Sequence, residues 1–402
     1  MTGGPDLLGP DAADLLALAC ASAGSEVLEH SLHAVHTRPG DGTSVGFRVR
    51  VRAAGVERED YVLLSTSRAR GVDTARPGVA VLDGDAGRVL AWRFPDDPAL
   101  PALARATDPV ALAAALPGEG PVTAHDLVTY RPLRRAVVRA ERGGVVHWVK
   151  VLRPHGRGGT SPAADVVARH GMLAAAGLPV PEVLRADPDG LVVLAAATGE
   201  GLLHSVLADE ASGVAVRDLV ALLDRMPPAV LDLPARPAWS DRAGAHAAAL
   251  DGTAWAERAR TVADEVLVRS ATLDLGPVVP THGDLHEGQL TVVGEPGDRR
   301  VTGLLDVDGL GPGHRVDDLA CVVAHALALG PAGASVAARW RQEALDGGHA
   351  GAEALDVRTA GVLLSLVVGA ADHGRAGGSA DPGELLALAE GCLARAPQPS
   401  SR

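Results

Sequence analysis

One ten-residue segment concentrates residue types that carry out chemistry. The segment THGDLHEGQL, at 281–290, places Asp284 between His282 and His286, and Gln289 follows five residues after the aspartate. An HxDxH spacing can coordinate zinc, whereas a carboxylate on a loop can accept a proton. The segment alone therefore leaves two interpretations open, a zinc site and an acid–base residue.

A second segment, VTGLLDVDGLGPGHRVDDLA at 301–320, carries further acids after an apolar run. Asp306 and Asp308 alternate with apolar residues, which predicts that both side chains point to one face of a strand. With the first segment, this strand would form a hairpin that has acids at both ends. Carboxylate and amide oxygens are the ligands that Mg²⁺ prefers in proteins. Together the two segments predict a divalent-metal site with one carboxylate free to take a proton.

A single lysine, Lys150, stands among 37 lysines and arginines in total. Arginine supplies all the other positive charge, so the position that keeps lysine is a candidate for a functional ammonium group. Lys150 lies in HWVKVLRP, within an alternating apolar run that is typical of a strand.

These three features resemble the aminoglycoside phosphotransferase and choline kinase-like family, which has the protein-kinase-like fold. The catalytic loop of that family reads roughly HGDxHxxN and is matched here by HGDLHEGQ; its metal strand reads roughly (I/L)DxExxxxGDPxxDLA and is matched by LLDVDGLGPGHRVDDLA. Lys150 takes the position of the family's strand lysine. The resemblance covers about residues 122–390. In motif form it is nearest to the actinobacterial maltokinase and glucosamine kinase branch.

The resemblance implies an ATP-dependent phosphotransferase that moves the γ-phosphate to a hydroxyl of a sugar, amino sugar or aminoglycoside. Asp284 would orient and deprotonate the acceptor hydroxyl. Gln289 and Asp306 would hold Mg²⁺ between the ATP phosphates, and Asp308 would be a further metal ligand. Lys150 would pair with the α- and β-phosphates.

Further roles follow from the same alignment. RPLRR takes the phosphate-loop position, so Arg134 and Arg135 would contact the nucleotide. Asp165, one residue off the alignment, would be the acidic partner of the lysine. Asp318, in the DDLA run, would brace the catalytic loop, and residues 191–198 would form the hinge beside adenine.

Two other classes of protein fit some of the same residues. A catalytically weak pseudokinase or nucleotide-binding module would explain why Gln289 replaces the usual asparagine, although the longer amide can still offer its oxygen to a metal. A metallohydrolase would use His282, Asp284 and His286 as zinc ligands, whereas the family resemblance makes the two histidines scaffold of the loop.

The acceptor site of the family lies in the variable helical lobe, here at about 202–275 and 320–390. Three aspartates of the first range are candidates to attract a cationic amino sugar: Asp224, Asp241 and Asp251. Trp239, His314 and His325 are interpreted as packing or surface groups.

The secondary-structure pattern predicts an α+β protein. A first module, 1–118, has helices at 12–24 and 107–116 around five strands, at 31–37, 44–53, 60–66, 78–82 and 87–93, and ends in a linker at 117–121. Two strands joined at Gly143-Gly144, one helix at 161–176 and a further strand then predict a kinase-like N-lobe at 119–200. Helical patterns predict a C-lobe at 201–402. The architecture is thus a bilobal kinase-like fold preceded by a cap.

Composition excludes several classes of function. With 37 Lys and Arg against 50 Asp and Glu, the net charge is −13, which disfavours nucleic acid and anionic membranes as partners. The 47% of hydrophobic residues excludes a disordered chain. We find no apolar stretch of about 20 residues and no basic signal-peptide region, and three scattered cysteines suggest a reducing cytoplasm. A small-molecule hydroxyl acceptor is the expected partner; the sequence carries no signal of an oligomeric state.

Overall fold

The chain folds into two units. The structure is a computed structural model, and it describes residues 6–38, 42–67, 72–84, 87–155, 161–371 and 380–396. The first unit comprises mainly Met1–Val167 and Glu182–Ala196, and the second mainly Ala168–Pro181 and Ala197–Ala371. Strands dominate the first unit and helices dominate the second. The α+β class predicted from the sequence is confirmed.

The first unit begins with one helix and a five-stranded antiparallel sheet. These elements are α1 (Asp11–Ser22), β1 (Glu26–Arg38), β2 (Gly42–Ala53), β3 (Val56–Ser65), β4 (Val79–Gly84) and β5 (Gly87–Arg93), and the strand order is β1-β2-β3-β5-β4. Along β2, Val49 and Val51 are buried while Arg50 and Arg52 are exposed, because successive side chains point to opposite faces. The buried face packs against Leu16 of α1. The helix and all five strands agree with the sequence predictions.

The helix predicted at 107–116 is wrong as a single element. The structure has two short helices there, α2 (Leu103–Thr107) and α3 (Pro109–Ala113). Asp108 separates them in an extended conformation, and its side chain accepts hydrogen bonds from the backbone N–H groups of Val110 and Ala111. The break is expected beside a proline, because the residue before proline is disfavoured in the helical region.

A second five-stranded antiparallel sheet completes the first unit. Its strands are β6 (Val122–Arg131), β7 (Arg135–Arg142), β8 (Val145–Leu152), β9 (Val183–Ala186) and β10 (Leu191–Ala195), in the order β6-β7-β8-β10-β9. Gly143 and Gly144 join β7 to β8 with φ angles of +59° and +75°, so the predicted two-glycine turn is confirmed. The predicted helix at 161–176 is also confirmed, as α4 (Pro162–Ala175).

The N-terminal module and the second sheet share one hydrophobic core. Leu103 of α2 and Leu112 of α3 belong to the same buried cluster as Val138 of β7 and Val149 of β8. The predicted module boundaries at residues 118 and 200 remain predictions, because the division into units combines this module with the second sheet.

Helices make up most of the second unit. They are α5 (Leu202–Asp209), α6 (Val216–Asp224), α7 (Ala243–Ala248), α8 (Ala256–Ser270), α9 (Arg315–Ala328), α10 (Pro331–Asp346), α11 (Ala352–Ala371) and α12 (Pro382–Arg395). By length and composition α11 meets the criteria for a membrane span, contrary to the sequence expectation, but 67% of its apolar window is buried inside the protein. Its residues lie in the main hydrophobic core, as in the central helix of a globular domain.

Two strand pairs in this unit carry the segments with candidate functional residues. They are β12 (Val278–Thr281) with β15 (Gly311–His314), and β13 (Leu290–Val293) with β14 (Arg300–Leu304); β13 also pairs with the two-residue strand β11 (Glu200–Gly201). In the β13–β14 hairpin Leu290 is opposite Leu304, so the residues before β13 and after β14 lie at the same end of the hairpin. The predicted hairpin is confirmed.

One detail of that prediction is wrong. Asp306 and Asp308 do not alternate on a strand, because β14 ends at Leu304. Asp306 has a left-handed backbone with φ +47° and ψ +50°, and Val307–Gly309 form a single 3₁₀ turn. The apolar alternation of this segment therefore reflects burial of Val307 within a turn rather than a strand face.

Candidate active site

The loop that carries Asp284 connects β12 to β13, and a buried carboxylate braces its start. Asp318, in the first turn of α9, accepts hydrogen bonds from the backbone N–H of His282 at 2.9 Å and of Gly283 at 2.8 Å. Gly283 has φ +80°, and a Cβ there would lie 2.7 Å from the Gly309 carbonyl oxygen, so only glycine fits. Burial raises the pKa of Asp318, and the two N–H groups and nearby His282 oppose that rise. The geometry matches the bracing role that the resemblance implied.

His282 ties this loop to the segment after β14. Its Nε2 lies 2.8 Å from the Leu305 carbonyl oxygen, and the Leu305 N–H donates to the Gln289 carbonyl oxygen at 2.8 Å. The His282 side chain is fully buried. These contacts give His282 a structural part in the loop.

Trp239 contacts Asp284 directly. Its indole Nε1–H donates to Oδ1 of Asp284 at 3.0 Å. The sequence interpretation of Trp239 as a packing or surface group missed this contact, and no motif could have found it, because 45 residues separate the pair. This hydrogen bond fixes the position of Oδ1, and Oδ2 takes no part in it.

His286 and His325 stack beside the same carboxylate. Their ring centroids are 4.0 Å apart and their planes differ by 11°. Burial and the neighbouring His286 lower the pKa of His325 to about 4. Burial alone would lower the pKa of His286, but Glu287, Asp284 and Asp306 together raise it. The interpretation of His325 as a packing or surface group missed its place beside the candidate catalytic residue.

The zinc interpretation does not hold in the form that the sequence suggested. The nitrogen and oxygen atoms that approach within 4.8 Å of one another belong to Asp284, His286 and His325. Within the part of the chain that the structure describes, His282 is in no such group, since its ring is engaged with Leu305.

Gln289, Asp306 and Asp308 form the candidate magnesium site. Gln289 ends the 3₁₀ turn Glu287–Gln289, and its amide nitrogen lies 3.1 Å from Nε2 of His286, which leaves the amide oxygen for a metal. All three side chains are half-buried, and the Leu305–Gln289 backbone hydrogen bond fixes the two segments beside each other. One amide and two carboxylates are a hard oxygen donor set that suits Mg²⁺.

The residues predicted to bind the nucleotide lie in the first unit. Lys150 is on β8, opposite Val137 of β7 and Val192 of β10, and its side chain is only 8% exposed. A lysine on a central strand must be held by specific partners, because an isolated buried ammonium is costly. Asp165 lies in the first turn of α4, and its pairing with the lysine remains a prediction.

Arg134 and Arg135 follow a tight turn between β6 and β7. The Arg134 N–H donates to the Arg131 carbonyl oxygen at 3.0 Å, and Leu133 inside the turn has φ +59°. Asp97, from the N-terminal module, accepts from the Leu133 N–H at 2.8 Å. No sequence pattern indicated Asp97, which lies outside every motif.

Comparison with known proteins places these residues in a family. The chain matches the model of the phosphotransferase enzyme family (APH) over residues 128–355. No curated protein matches the chain in sequence.

Solved structures of three proteins illustrate the likeness. A thermostable mutant of aminoglycoside phosphotransferase APH(4)-Ia, in a ternary complex with ADP and hygromycin B, has 13% identity and a TM-score of 0.47, over 68% of this chain and 94% of that chain. Aminoglycoside phosphotransferase APH(3'')-Id from Streptomyces rimosus has 18% identity and a TM-score of 0.40, over 57% and 89%. Choline kinase LicA from Streptococcus pneumoniae has 12% identity and a TM-score of 0.42, over 64% and 86%.

The matched region contains both the β6–β10 sheet and the loops that carry Asp284 and Asp306. The fold class is protein-kinase-like, with a β-rich lobe, a mainly helical lobe and a preceding α+β module. The likeness to the maltokinase and glucosamine kinase branch remains a prediction. Because the family model spans more than half of the 402 residues, the chain belongs to the phosphotransferase enzyme family.

Proposed function

We propose that this protein transfers the γ-phosphate of ATP to a hydroxyl of a small molecule, in the class of sugars, amino sugars and aminoglycosides. The observation that supports it best is the positioned carboxylate of Asp284. Its loop is braced at the backbone by Asp318, and its Oδ1 accepts from Trp239. Phosphoryl transfer needs positioning and charge neutralisation more than covalent help, and these contacts provide positioning.

In this proposal Oδ2 of Asp284 orients the acceptor hydroxyl and accepts its proton as the bond to phosphorus forms. Gln289, Asp306 and Asp308 hold Mg²⁺, which supplies charge neutralisation for the transferred phosphate when bound. Lys150 pairs with the α- and β-phosphates, and Arg134 and Arg135 lie at the turn expected beside the phosphates.

The test is an assay of ATP consumption with a panel of hydroxyl acceptors, run on wild type and on Asp284→Asn. General-base contributions run to about 10²–10⁴-fold, so we expect turnover to fall by at least about 100-fold while ATP binding, measured by calorimetry, is kept. Asp232→Asn is the matched control, because Asp232 is an exposed aspartate of the same unit. A variant at position 284 that keeps more than a third of the wild-type rate would contradict the assignment, and so would a wild type that binds ATP and never turns it over.

A second candidate, zinc-dependent hydrolysis, is favoured by the cluster of Asp284, His286 and His325. Metal identity separates the two functions, because imidazole ligands suit zinc whereas carboxylate and amide oxygens suit magnesium. Zinc that stays bound through dialysis and supports ester or amide hydrolysis would favour this second function. Activity that needs added Mg²⁺ and ATP would favour the first.

A further inference from the structure

The candidate catalytic carboxylate has an aromatic and cationic neighbourhood. The guanidinium carbon of Arg242 lies 4.0 Å from the centroid of the Trp239 ring, whose Nε1–H bonds to Asp284. His246 stacks on the same indole, with centroids 5.9 Å apart and planes at 26°. One indole therefore connects the carboxylate of Asp284 with a guanidinium and an imidazole.

The Arg242 cation has no carboxylate within 4.0 Å among the described residues. Its Nε donates a long hydrogen bond of 3.4 Å to the Ala238 carbonyl oxygen, and the side chain is partly exposed. Burial lowers the pKa of Arg242 and the nearby Asp284 raises it, but arginine stays charged at every physiological pH. Its remaining N–H groups are thus donors for oxygen atoms of a ligand.

His246 adds a second polar group beside the indole but no positive charge. Burial and the neighbouring Arg242 lower the pKa of His246 to about 4, so the ring is neutral at pH 7. Its Nε2 is buried and has no hydrogen-bond partner within the ranges that the structure describes. A buried polar atom of this kind is costly unless a water or a ligand group meets it.

The acids that the sequence offered for a cationic acceptor are already paired with arginines. Asp224 pairs with Arg315 at 2.8 Å. The other two pairs are Asp251 with Arg260, at 2.9 Å, and Asp241 with Arg358. Each of these carboxylates therefore already has a cationic partner inside the protein, and their part in attracting an amino sugar remains a prediction.

We propose that Arg242 makes the enzyme select acceptors without positive charge beside the transferred hydroxyl, namely neutral or acidic sugars, over amino sugars and aminoglycosides. This rests on the proposed phosphotransfer at Asp284. Arg242 attracts carboxylate and hydroxyl oxygens and repels ammonium groups, and the indole between Arg242 and Asp284 keeps the two charges close to the same bound molecule. Arg242 is then a specificity-determining residue.

The experiment compares three acceptors that share one scaffold: D-glucose, D-glucosamine and D-glucuronate. Each is measured for kcat/KM with ATP and, separately, for binding by calorimetry, on wild type, Arg242→Gln and the control Arg260→Gln. Arg260 is an exposed arginine of the same unit, paired with Asp251. Thermal melting checks that each variant is folded.

We expect wild type to favour glucose or glucuronate over glucosamine by on the order of tenfold, the size of a moderate charge effect at a partly exposed site. We expect Arg242→Gln to bring the ratio of kcat/KM between glucose or glucuronate and glucosamine near one, whereas Arg260→Gln should keep the wild-type ratio. A wild type that prefers glucosamine, or a ratio unchanged in Arg242→Gln, overturns the proposal while leaving phosphotransfer intact. Selective binding in this order without any transfer supports the proposal and contradicts the proposed function. If none of the three sugars binds or is phosphorylated, the result counts against the proposed selectivity and the proposed function alike.

Discussion

Two fully buried aspartates, one in each unit, perform the same physical task in different surroundings. Asp318 accepts two backbone N–H groups of the catalytic loop, at 2.9 and 2.8 Å. Asp97 accepts the N–H groups of Leu133 and Ala99, both at 2.8 Å. Both side chains are 0% exposed, and burial raises the pKa of both. Each carboxylate fixes a tight turn that carries a predicted functional residue.

The two turns differ in the residue that takes the left-handed backbone. In the catalytic loop it is Gly283, for which a positive φ has no steric cost. In the β6–β7 turn it is Leu133, for which that conformation costs roughly 1–2 kcal/mol. Asp97 must therefore offset strain that Asp318 does not face, and burial of the Leu133 side chain at 1% exposure helps it. The comparison shows that a buried carboxylate can hold a functional turn with or without a glycine at the left-handed position.

The largest effect is expected for Asp318→Ala. The substitution removes the charged acceptor of two backbone N–H groups, one on buried His282 and one on the more exposed Gly283, which costs about 4 kcal/mol of unfolding free energy. Turnover should also fall at least about 100-fold, because the loop that positions Asp284 loses its brace. Urea unfolding and steady-state kinetics measure both. The control Asp251→Ala, at an exposed ion pair, should change stability by less than about 0.5 kcal/mol. Wild-type turnover in the first variant would contradict the bracing role.

Asp97→Ala should lower the unfolding free energy slightly less than Asp318→Ala, by about 3 kcal/mol. The Leu133 N–H loses its acceptor and the strained turn loses its support, but the Ala99 bond is local. Urea unfolding measures the loss. Asp97→Asn is the matched variant: its amide keeps one oxygen acceptor, so about half the loss is expected. Equal stability of wild type and Asp97→Ala would show that the turn needs no carboxylate.

The same comparison shows how far the sequence could predict the molecule. Asp318 was found because it lies in a run, VDDLA, that matches a family motif, and the five strands of the first sheet were found from alternation of apolar residues. Asp97 was not found, because its acceptor role joins residues 36 positions apart with no periodic pattern. The contact of Trp239 with Asp284 and the stacking of His286 on His325 escaped for the same reason. These three features depend on tertiary contacts that leave no local pattern in the sequence.

Asp308 and Asp306 illustrate a different limit. Alternation with apolar residues predicted a strand, yet the chain leaves β14 at Leu304 and turns at a left-handed Asp306. A period of two over four residues cannot distinguish a strand end from a short 3₁₀ turn whose first residue is buried.

Asp317, the neighbour of Asp318, should make the stability depend on pH. Burial raises the pKa of Asp317 to about 6 despite Arg358, whose Nε lies 3.5 Å from Oδ1. Between pH 4 and 6 the folded state then binds more protons at Asp317 than the unfolded state, so its contribution to the unfolding free energy falls as the pH rises, by on the order of 2 kcal/mol. The difference between wild type and Asp317→Asn, in urea unfolding from pH 4.5 to 7.5, isolates this slope. Parallel curves would mean that Asp317 titrates normally.

The smallest expected effect concerns Tyr130, the side-chain donor of Asp97, which has no counterpart at Asp318 among the described residues. The Tyr130 hydroxyl donates to Asp97 at 2.7 Å and accepts from Nε1 of Trp92 at 3.1 Å. Burial and the Asp97 carboxylate raise the pKa of Tyr130 well above its ordinary value, so the hydroxyl remains a donor at pH 7. Tyr130→Phe removes one charge-assisted hydrogen bond but keeps both backbone donors of Asp97, so we expect a loss of about 1 kcal/mol.

The chain offers a matched control for this substitution, because it contains only two tyrosines. Among the described residues the Tyr61 hydroxyl has one hydrogen-bond partner, the exposed ring of His33 at 3.2 Å, so Tyr61→Phe should change the unfolding free energy by less than about 0.5 kcal/mol. An alkaline absorbance titration adds a second readout. With Tyr130 removed, the remaining phenol should titrate near 12, the value to which burial raises the pKa of Tyr61. If the two variants lose the same stability, the hydroxyl adds nothing to the carboxylate, and Asp97 holds its turn by backbone hydrogen bonds alone, as Asp318 does.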